Sequence, residues 1–390
     1  MVGRSSKALD ARQPLSTRRS TDSYHCGLFL LPAMVVMLAS IAGCGFDVGY
    51  AIPAVFGQLN IMTNSRSVEE VLAGDQLSPD HRAKLELVMD VRAYARDVIG
   101  LYVDNSYTQY FDSGDRPVAY NLSASYRDRF EPLTWWFPIV GTVPQLGYFD
   151  PGLVQAKEDE LTGQGFDVFV YELDAYYMGP ALQNPVTSPL LDREETDLVA
   201  TVIHELTHAT VGRINNSAAD ASFNESLATF VGRTGAVRYY QDRMPDQPDR
   251  VRMATNRFED DDRYAGFMND LFTQLDAYYH TDAASEEKIA GRAAIFLAAR
   301  TRFAQDDQPL MHDPALFDFM QNLPINNAYV LLQHRYNLNL DVFNETFLAN
   351  AENWAATLGL FRAAAAVDGD PYAFLQNQLN AAQSPRRRAD

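Results

Sequence analysis

Residues 198–211 read LVATVIHELTHATV, and this stretch decides the fold prediction. Its apolar residues recur three and four positions apart, which is the spacing of one face of an α-helix. His204 and His208 are four positions apart, so both imidazole rings leave the same face of that helix one turn apart. Two imidazoles in this arrangement can bind one Zn2+ ion at about 2.0 to 2.1 Å. The stretch therefore predicts a helix over residues 192–211 that carries two zinc ligands.

Glu205 follows the first histidine and lies beside the face that the two imidazoles share. A carboxylate there is not a ligand, but it can take a proton from a metal-bound water whose pKa zinc lowers to about 7. The alternative is a polar helix face at the surface. The apolar neighbours Ile203 and Leu206 instead indicate a buried helix, in which unpartnered His and Glu side chains would be costly. We therefore expect Glu205 to be the general base.

A catalytic zinc usually has three protein ligands, so a third ligand must come from another part of the chain. Metzincins would place Gly at 211 and His at 214, but the sequence has Val211 and Ile214, which excludes that class. Gluzincins take a glutamate from a second helix instead. Residues 223–230, FNESLATF, predict such a helix, and Glu225 within it is the expected third ligand.

The segment between the two helices supports this assignment. The turn-forming residues 215–217 end the first helix, and Asp220 or Ser222 can cap the second. The chain then returns antiparallel to the first helix, which would bring Glu225 opposite His204 and His208. An acidic residue in the first turn also stabilises a helix N-terminus, and that role is compatible with zinc binding.

Residues 1–43 have the three parts of a secretory signal: a basic leader, a short apolar run at 27–39 and small residues before Cys44. The run is short for a bilayer span, which needs about 20 residues. Residues 41–44, IAGC, resemble a bacterial lipobox, so Cys44 is predicted to be lipidated and to anchor the protein in a membrane. Gly45 favours the outer membrane of a bacterial envelope, facing the periplasm. An N-terminal anchor helix with an incidental cysteine is the alternative.

Charge excludes nucleic acid as a partner. The chain has 51 acidic and 32 basic residues and a net charge of -19, whereas contacts to phosphates need clustered Lys and Arg. An acidic surface that keeps the protein soluble explains this balance better than a site that recruits cationic substrates.

The rest of the sequence predicts one α+β, predominantly helical domain. It has a thermolysin-like (gluzincin) zinc peptidase core and a helical C-terminal part. We place a metallopeptidase domain at 44–380 and a disordered tail at 381–390. The other predicted elements are a helix from Ser78 to Gly100, irregular strands over 115–148, a helix over 152–163 and a strand over 165–173.

These residues resemble a known family, the predicted zinc aminopeptidases of proteobacteria, over nearly the whole predicted mature chain. The resemblance rests on residues 43–45, 49–50, 57–59, 104–107, 135–141, 147–149, 165–168, 204–208, 223–226 and 326–328. It implies an aminopeptidase that holds one Zn2+ per chain and acts on peptide substrates. A zinc endopeptidase or a cell-wall peptide hydrolase would share the same four site residues. A non-catalytic envelope lipoprotein is disfavoured, because a structural zinc site needs no base such as Glu205.

Two parts of the site stay open at this stage. Gluzincins commonly stabilise the oxyanion with a Tyr or a His, and the unranked candidates are Tyr176, Tyr177, Tyr329, Tyr336 and His334. An aminopeptidase also needs carboxylates for the substrate amine. Glu172 and Asp174 are candidates, with solvated charges at the end of a strand as the alternative, and the acidic run at 259–262 is expected to be a solvated loop.

Overall fold

The computed structural model describes residues 48–137, 141–175, 184–212 and 221–383. The predicted signal peptide, Cys44, the turn at 215–217 and the candidates Tyr176 and Tyr177 lie outside these residues. Within the described ranges, no helix is both long enough and apolar enough to cross a bilayer.

Helices dominate the described residues, as the sequence predicts. They are α1 (Val48–Asn64), α2 (Val68–Ala73), α3 (Pro79–Tyr94), α4 (Pro151–Gly163), α5 (Ser188–Leu191), α6 (Glu195–Gly212), α7 (Ala221–Arg243), α8 (Pro248–Tyr279), α9 (Ser285–Arg302), α10 (Asn327–Tyr336), α11 (Leu340–Ala349), α12 (Trp354–Ala365) and α13 (Pro371–Gln383). A π-helical turn continues α3 to Ile99, where Gly100 adopts a φ of 87° and ends it.

The strands in the described part of the chain are short and form three small sheets. They are β1 (Arg66–Ser67), β2 (Gln109–Phe111), β3 (Ala119–Ser125), β4 (Trp135–Phe137), β5 (Gly141–Val143), β6 (Leu146–Tyr148), β7 (Asp167–Leu173) and β8 (Val186–Thr187). The sheet orders are β1-β2-β8, β6-β3-β7 and β4-β5. β7 pairs antiparallel with β3 along its whole length, and among the described strands it lies at the edge of its sheet.

The largest cluster of buried apolar side chains surrounds α6 and α7, which pack side by side. Leu198, Val202 and Leu206 of α6 are fully buried, as are Phe223 and Leu227 of α7. Burial of each such side chain contributes roughly 1.5 to 3 kcal/mol. The apolar stripe that predicted α6 from the sequence is thus the interior face of the helix.

A buried ion pair holds β7, α9 and α10 together. The guanidinium of Arg292 on α9 donates to both carboxylate oxygens of Asp167 at 2.5 and 2.8 Å, and the backbone N–H of Asn327 donates to the same carboxylate at 2.9 Å. The bidentate geometry is the strong form of this interaction. Because the first residues of β7 and α10 share this carboxylate, the two elements are fixed relative to each other.

Two predicted boundaries need correction. The helix predicted over 192–211 is Glu195–Gly212, because α5 is a separate short helix that ends at Leu191. Residues 381–383, predicted as the start of a disordered tail, belong to α13, which continues to Gln383. Leu375 and Leu379 of α13 are buried in the domain and hold that helix in place. The predicted helix at 152–163 and the predicted strand at 165–173 are confirmed within two residues.

Candidate metal centre

His204 and His208 lie on the same face of α6, as the spacing predicts. Their Nε2 atoms are 3.1 Å apart, and the two ring planes are nearly perpendicular, with an interplanar angle of 83°. Both side chains are mostly buried, with 13% and 15% of their surface exposed. Each ring therefore presents one nitrogen to a single point at the edge of the core.

Glu225 of α7 meets both histidines at that point. Its Oε2 atom is 3.5 Å from Nε2 of His204 and 3.4 Å from Nε2 of His208. The antiparallel return predicted between the two helices is confirmed, because Glu225 near the start of α7 lies opposite the end of α6. Among the described residues, these three form a group of potential metal ligands with one ligand atom each, and those atoms all lie within 4.8 Å of one another.

The spacing of these atoms fits a zinc ion. Tetrahedral coordination at about 2.0 to 2.1 Å would separate the ligand atoms by about 3.3 to 3.4 Å. The three observed separations, 3.1, 3.4 and 3.5 Å, bracket that value. Oε2 of Glu225 is also buried and accepts no hydrogen bond from the described residues. A buried, unpaired carboxylate oxygen is costly, and a cation between the three side chains would satisfy it.

The charges of the site favour the ionised carboxylate. Burial by itself raises the pKa of Glu225, but the neighbouring His208 and His204 outweigh burial and lower that pKa well below its ordinary value. For His208 the two effects have the opposite signs. Burial by itself lowers the pKa of His208, but the negative charge of Glu225 outweighs burial and raises that pKa. Glu225 is therefore anionic at neutral pH, which is the form that binds a metal.

The buried Tyr107 and the partly buried Tyr336 lie near Glu205, which is half-buried on α6. Burial first, and the negative charge of Glu205 second, raise the pKa of Tyr107. The hydroxyl of Tyr107 is buried and has no hydrogen-bond partner among the described residues, and its backbone has a positive φ of 62°. Burial and the charges of Glu225 and Glu205 also raise the pKa of Tyr336. Glu205 thus has tyrosines from two distant parts of the chain as neighbours.

The structure ranks the described oxyanion candidates. The ring of Tyr336 stacks against His204 with a centroid distance of 6.1 Å, which places this tyrosine at the site. Tyr329 instead hydrogen bonds to Tyr264 within a buried cluster. His334 stacks on Phe272 at 3.9 Å, and its Nδ1 atom is 2.8 Å from the side chain of Asn269. Tyr336 is therefore the described candidate whose ring stacks against one of the metal-ligand candidates.

Tyr171 of β7 is a site residue that the sequence did not single out. Burial raises its pKa to about 12, with the charge of Glu225 as a further contribution. Its hydroxyl accepts a hydrogen bond from Asn121 at 3.0 Å and donates to Gln145 at 3.3 Å. The strand pattern at 165–173 could have suggested it, since side chains alternate between the two faces of a strand.

The same alternation decides the position of the two acidic residues near the end of β7. Glu172 points to the opposite face from Tyr171 and is exposed. Asp174 forms an ion pair with Arg193, whose Nε is 3.0 Å from a carboxylate oxygen. Glu172 therefore lies on the face of β7 opposite Tyr171, and Asp174 already has Arg193 as its counter-charge. The acidic run at 259–262 is helical rather than a loop, because it lies within α8, where buried Asp260 accepts hydrogen bonds from the backbone of His312 and Asp313.

Comparison with known proteins identifies the family. A family model described as "Putative aminopeptidase" matches residues 49–369 of the chain. The match includes the two packed helices that bring the two histidines and the glutamate together. The chain belongs to this family, and membership supports peptidase activity on a peptide substrate. No curated protein and no solved structure matches the chain.

Proposed function

We propose that this protein is a gluzincin-type zinc aminopeptidase with a thermolysin-like core. The observation that carries the proposal is the convergence of His204, His208 and Glu225, with Glu205 directly after His204 on the same helix. These three side chains would hold one Zn2+ ion. When bound, the ion would lower the pKa of a water molecule to about 7 and polarise the scissile carbonyl.

The other residues have separate tasks in this proposal. Glu205 accepts a proton from the attacking water and later donates it to the leaving amine. The hydroxyl of Tyr336 donates a hydrogen bond to the oxygen that gains negative charge as the carbonyl is attacked. Its raised pKa keeps this hydroxyl protonated at neutral pH, so it acts as a donor.

Two substitutions test the division between ligand and base. Glu205→Gln is expected to retain about one zinc per chain and to lose about 10²-fold or more of its activity, because the base is removed and the ligands are not. Glu225→Ala is expected to lose zinc during dialysis. Glu286→Gln, at an exposed position of α9, is the control and should behave as the wild type. If Glu225→Ala retains full zinc and normal activity, the ligand assignment is wrong.

Endopeptidase activity is the second candidate, and the position of β7 favours it. This strand lies at the edge of its sheet among the described strands, and Tyr171 on it lies near Glu225. An exposed edge can pair with the extended backbone of a longer peptide. Aminopeptidase activity is supported chiefly by family membership, because Glu172 is exposed and Asp174 is paired with Arg193.

Matched peptides with free and acetylated N-termini separate the two activities. The zinc-loaded enzyme should release the first residue of the free peptides and leave the acetylated peptides intact. Cleavage of acetylated peptides at internal bonds, without preference for a free amine, would identify an endopeptidase or a cell-wall peptide hydrolase. The zinc assignment would be unaffected by that result.

We further propose that the mature protein begins at Cys44 and is held by its lipid chains at the bacterial outer membrane, facing the periplasm. The IAGC sequence after a short apolar run supports this location. One lipid chain binds a membrane only weakly, so stable attachment requires the two or more chains of a bacterial lipoprotein.

A further inference from the structure

We propose that Arg335 and Gln145 form a carboxylate-binding subsite next to the metal centre, which holds a carboxylate of the peptide substrate. The inference rests on the proposed peptidase function, and it adds a substrate class to it. The carboxylate can come from the C-terminus of a short peptide or from an acidic side chain.

The partners of Arg335 are unusual for a buried arginine. Only 7% of this residue is exposed, yet among the described residues its guanidinium makes one hydrogen bond, in which Nη1 donates to Oε1 of Gln145 at 3.2 Å. No carboxylate of the described residues lies within 4.0 Å of it. Arg292 is equally buried, at 6% exposed, and has the bidentate carboxylate partner Asp167. Arg335 therefore has an amide oxygen where Arg292 has an anion.

This difference has an energetic consequence. A charge removed from water is costly unless an opposite charge compensates for it. The chain carries 51 acidic residues against 32 basic ones, so carboxylates are abundant for a basic side chain that has only a structural role. A guanidinium binds a carboxylate through two parallel N–H donors, and Nη1 of Arg335 is already oriented by Gln145. An incoming carboxylate would supply the missing counter-charge.

The subsite is connected to the metal centre through two tyrosines. Oε1 of Gln145 accepts hydrogen bonds from both Arg335 and Tyr171. Tyr336 follows Arg335 in the chain, and its ring stacks against His204. The pKa values of both tyrosines are raised by burial and by Glu225, and both are lowered by the positive charge of Arg335. Tyr171 and Tyr336 thus connect the guanidinium of Arg335 to the metal-ligand candidates.

That arrangement suits a peptide substrate. An extended peptide advances about 3.3 to 3.6 Å per residue, so a carboxylate within a few residues of the scissile bond can reach this subsite. A purely structural Arg335 would fix Gln145 against α10 without regard to the charge of the substrate. The two roles differ in whether binding depends on a substrate carboxylate, and that dependence is measurable.

The test uses full-length protein with the Glu205→Gln substitution, so that binding is measured without turnover. Calorimetry compares short peptides that end in a free carboxylate with the same peptides ending in an amide. A second pair contains Asp or Asn within a C-terminally amidated peptide. We expect the carboxylate member of one pair to bind about tenfold more tightly or better, because hydrogen bonds to charged groups are the stronger ones. The pair that shows the preference identifies the source of the carboxylate.

Variants of Arg335 then assign the preference to this side chain. Arg335→Met in the Glu205→Gln protein should bind both members of the pair equally, and Arg335→Lys should keep part of the preference. Arg252→Met, at an exposed arginine of α8, is the control and should keep all of it. Circular dichroism establishes that each variant is folded, and Gln145→Ala provides a second, smaller perturbation if Arg335→Met is not.

Two results would overturn the subsite. One is equal affinities for both members of both pairs in the Glu205→Gln protein. The other is an undiminished preference in Arg335→Met, whether or not the affinities for acids and amides fall together. A wild-type enzyme that hydrolyses no peptide would instead refute the proposed function. The binding measurements would still report on the subsite, so the two failures can be distinguished.

Discussion

Gly232 of α7 faces Ala200 of α6 so closely that a Cβ atom on the glycine would lie 2.7 Å from the carbonyl oxygen of Ala200. The same atom would lie 3.2 Å from Cβ of His204. The absence of a side chain at position 232 therefore sets the distance between the helix that carries both histidines and the helix that carries Glu225.

We expect Gly232→Ala to destabilise the protein and weaken zinc binding. Overpacking against a backbone atom costs about 1 to 3 kcal/mol, which exceeds the gain of up to about 1 kcal/mol in helix propensity. The displaced α7 would also move Glu225 away from the histidines. Thermal unfolding and a zinc titration measure the two effects.

Gly266→Ala is the matched control, because Gly266 also lies inside a helix, α8, and a Cβ atom there would meet nothing within 4 Å. It should stabilise the protein by roughly 0.5 to 1 kcal/mol and leave zinc affinity unchanged. Equal effects of the two substitutions would show that the close approach at Gly232 has no bearing on the site.

The sequence predicts the convergence of His204, His208 and Glu225 because these candidate ligands, like the candidate base, follow from local patterns. His204, Glu205 and His208 lie within one helical turn, and Glu225 lies on the next helix along the chain. Tyr171, Tyr336 and Arg335 come from distant elements, and no local spacing indicates that β7 and α10 meet there. Gly232 is indicated only weakly by the sequence. A glycine inside a predicted helix is unfavourable unless a packing constraint requires it, so its presence suggests a close approach.

The alternation of β7 was also visible in the sequence, but its orientation was not. Glu172 and Tyr171 are equally compatible with a strand that faces the metal centre. The register that pairs Tyr171 with Asn121, and the packing of Phe169 against Tyr329 of α10, decide which face is inward. Only the tertiary fold contains that information.

Zinc should stabilise the folded protein more strongly as pH rises. The raised pKa of His208 in the metal-free chain lies above the ordinary value of 6.5, and zinc binds only the neutral ring. Stability that the metal-free protein gains from protonated His208 is fully present below 6.5 and is lost as pH rises through the folded pKa. The contribution of zinc has the opposite sign, because protons and the metal compete for the same nitrogen.

The measurement is the difference in Tm between zinc-loaded and chelator-treated protein, taken from about pH 6 to about pH 8. We expect this difference to increase across the range. A difference that stays constant with pH would contradict the assignment of His208 as a ligand.

Lipidation of Cys44 predicts a change in partitioning. In a bacterial host, the wild-type protein should enter the detergent phase, whereas Cys44→Ser should remain unprocessed or become soluble. Cys26→Ser is the control, because Cys26 lies within the predicted leader and should not affect the mature protein. A Cys44→Ser protein that is correctly truncated and still partitions into detergent would exclude the lipid anchor.

Tyr336→Phe should separate catalysis from metal binding. The phenylalanine ring can still stack against His204, so zinc content and KM should change little, while the hydrogen-bond donor is lost. Loss of one oxyanion donor costs about 10²- to 10³-fold in kcat.

Tyr329→Phe is the matched control on the same helix, since its hydroxyl bonds to Tyr264 away from the site, and it should keep the wild-type kcat. Raised pKa values keep both hydroxyls protonated at neutral pH, so the two variants differ in where a donor is lost and not in charge. A Tyr336→Phe enzyme with full kcat and full zinc would show that a group other than Tyr336 stabilises the oxyanion.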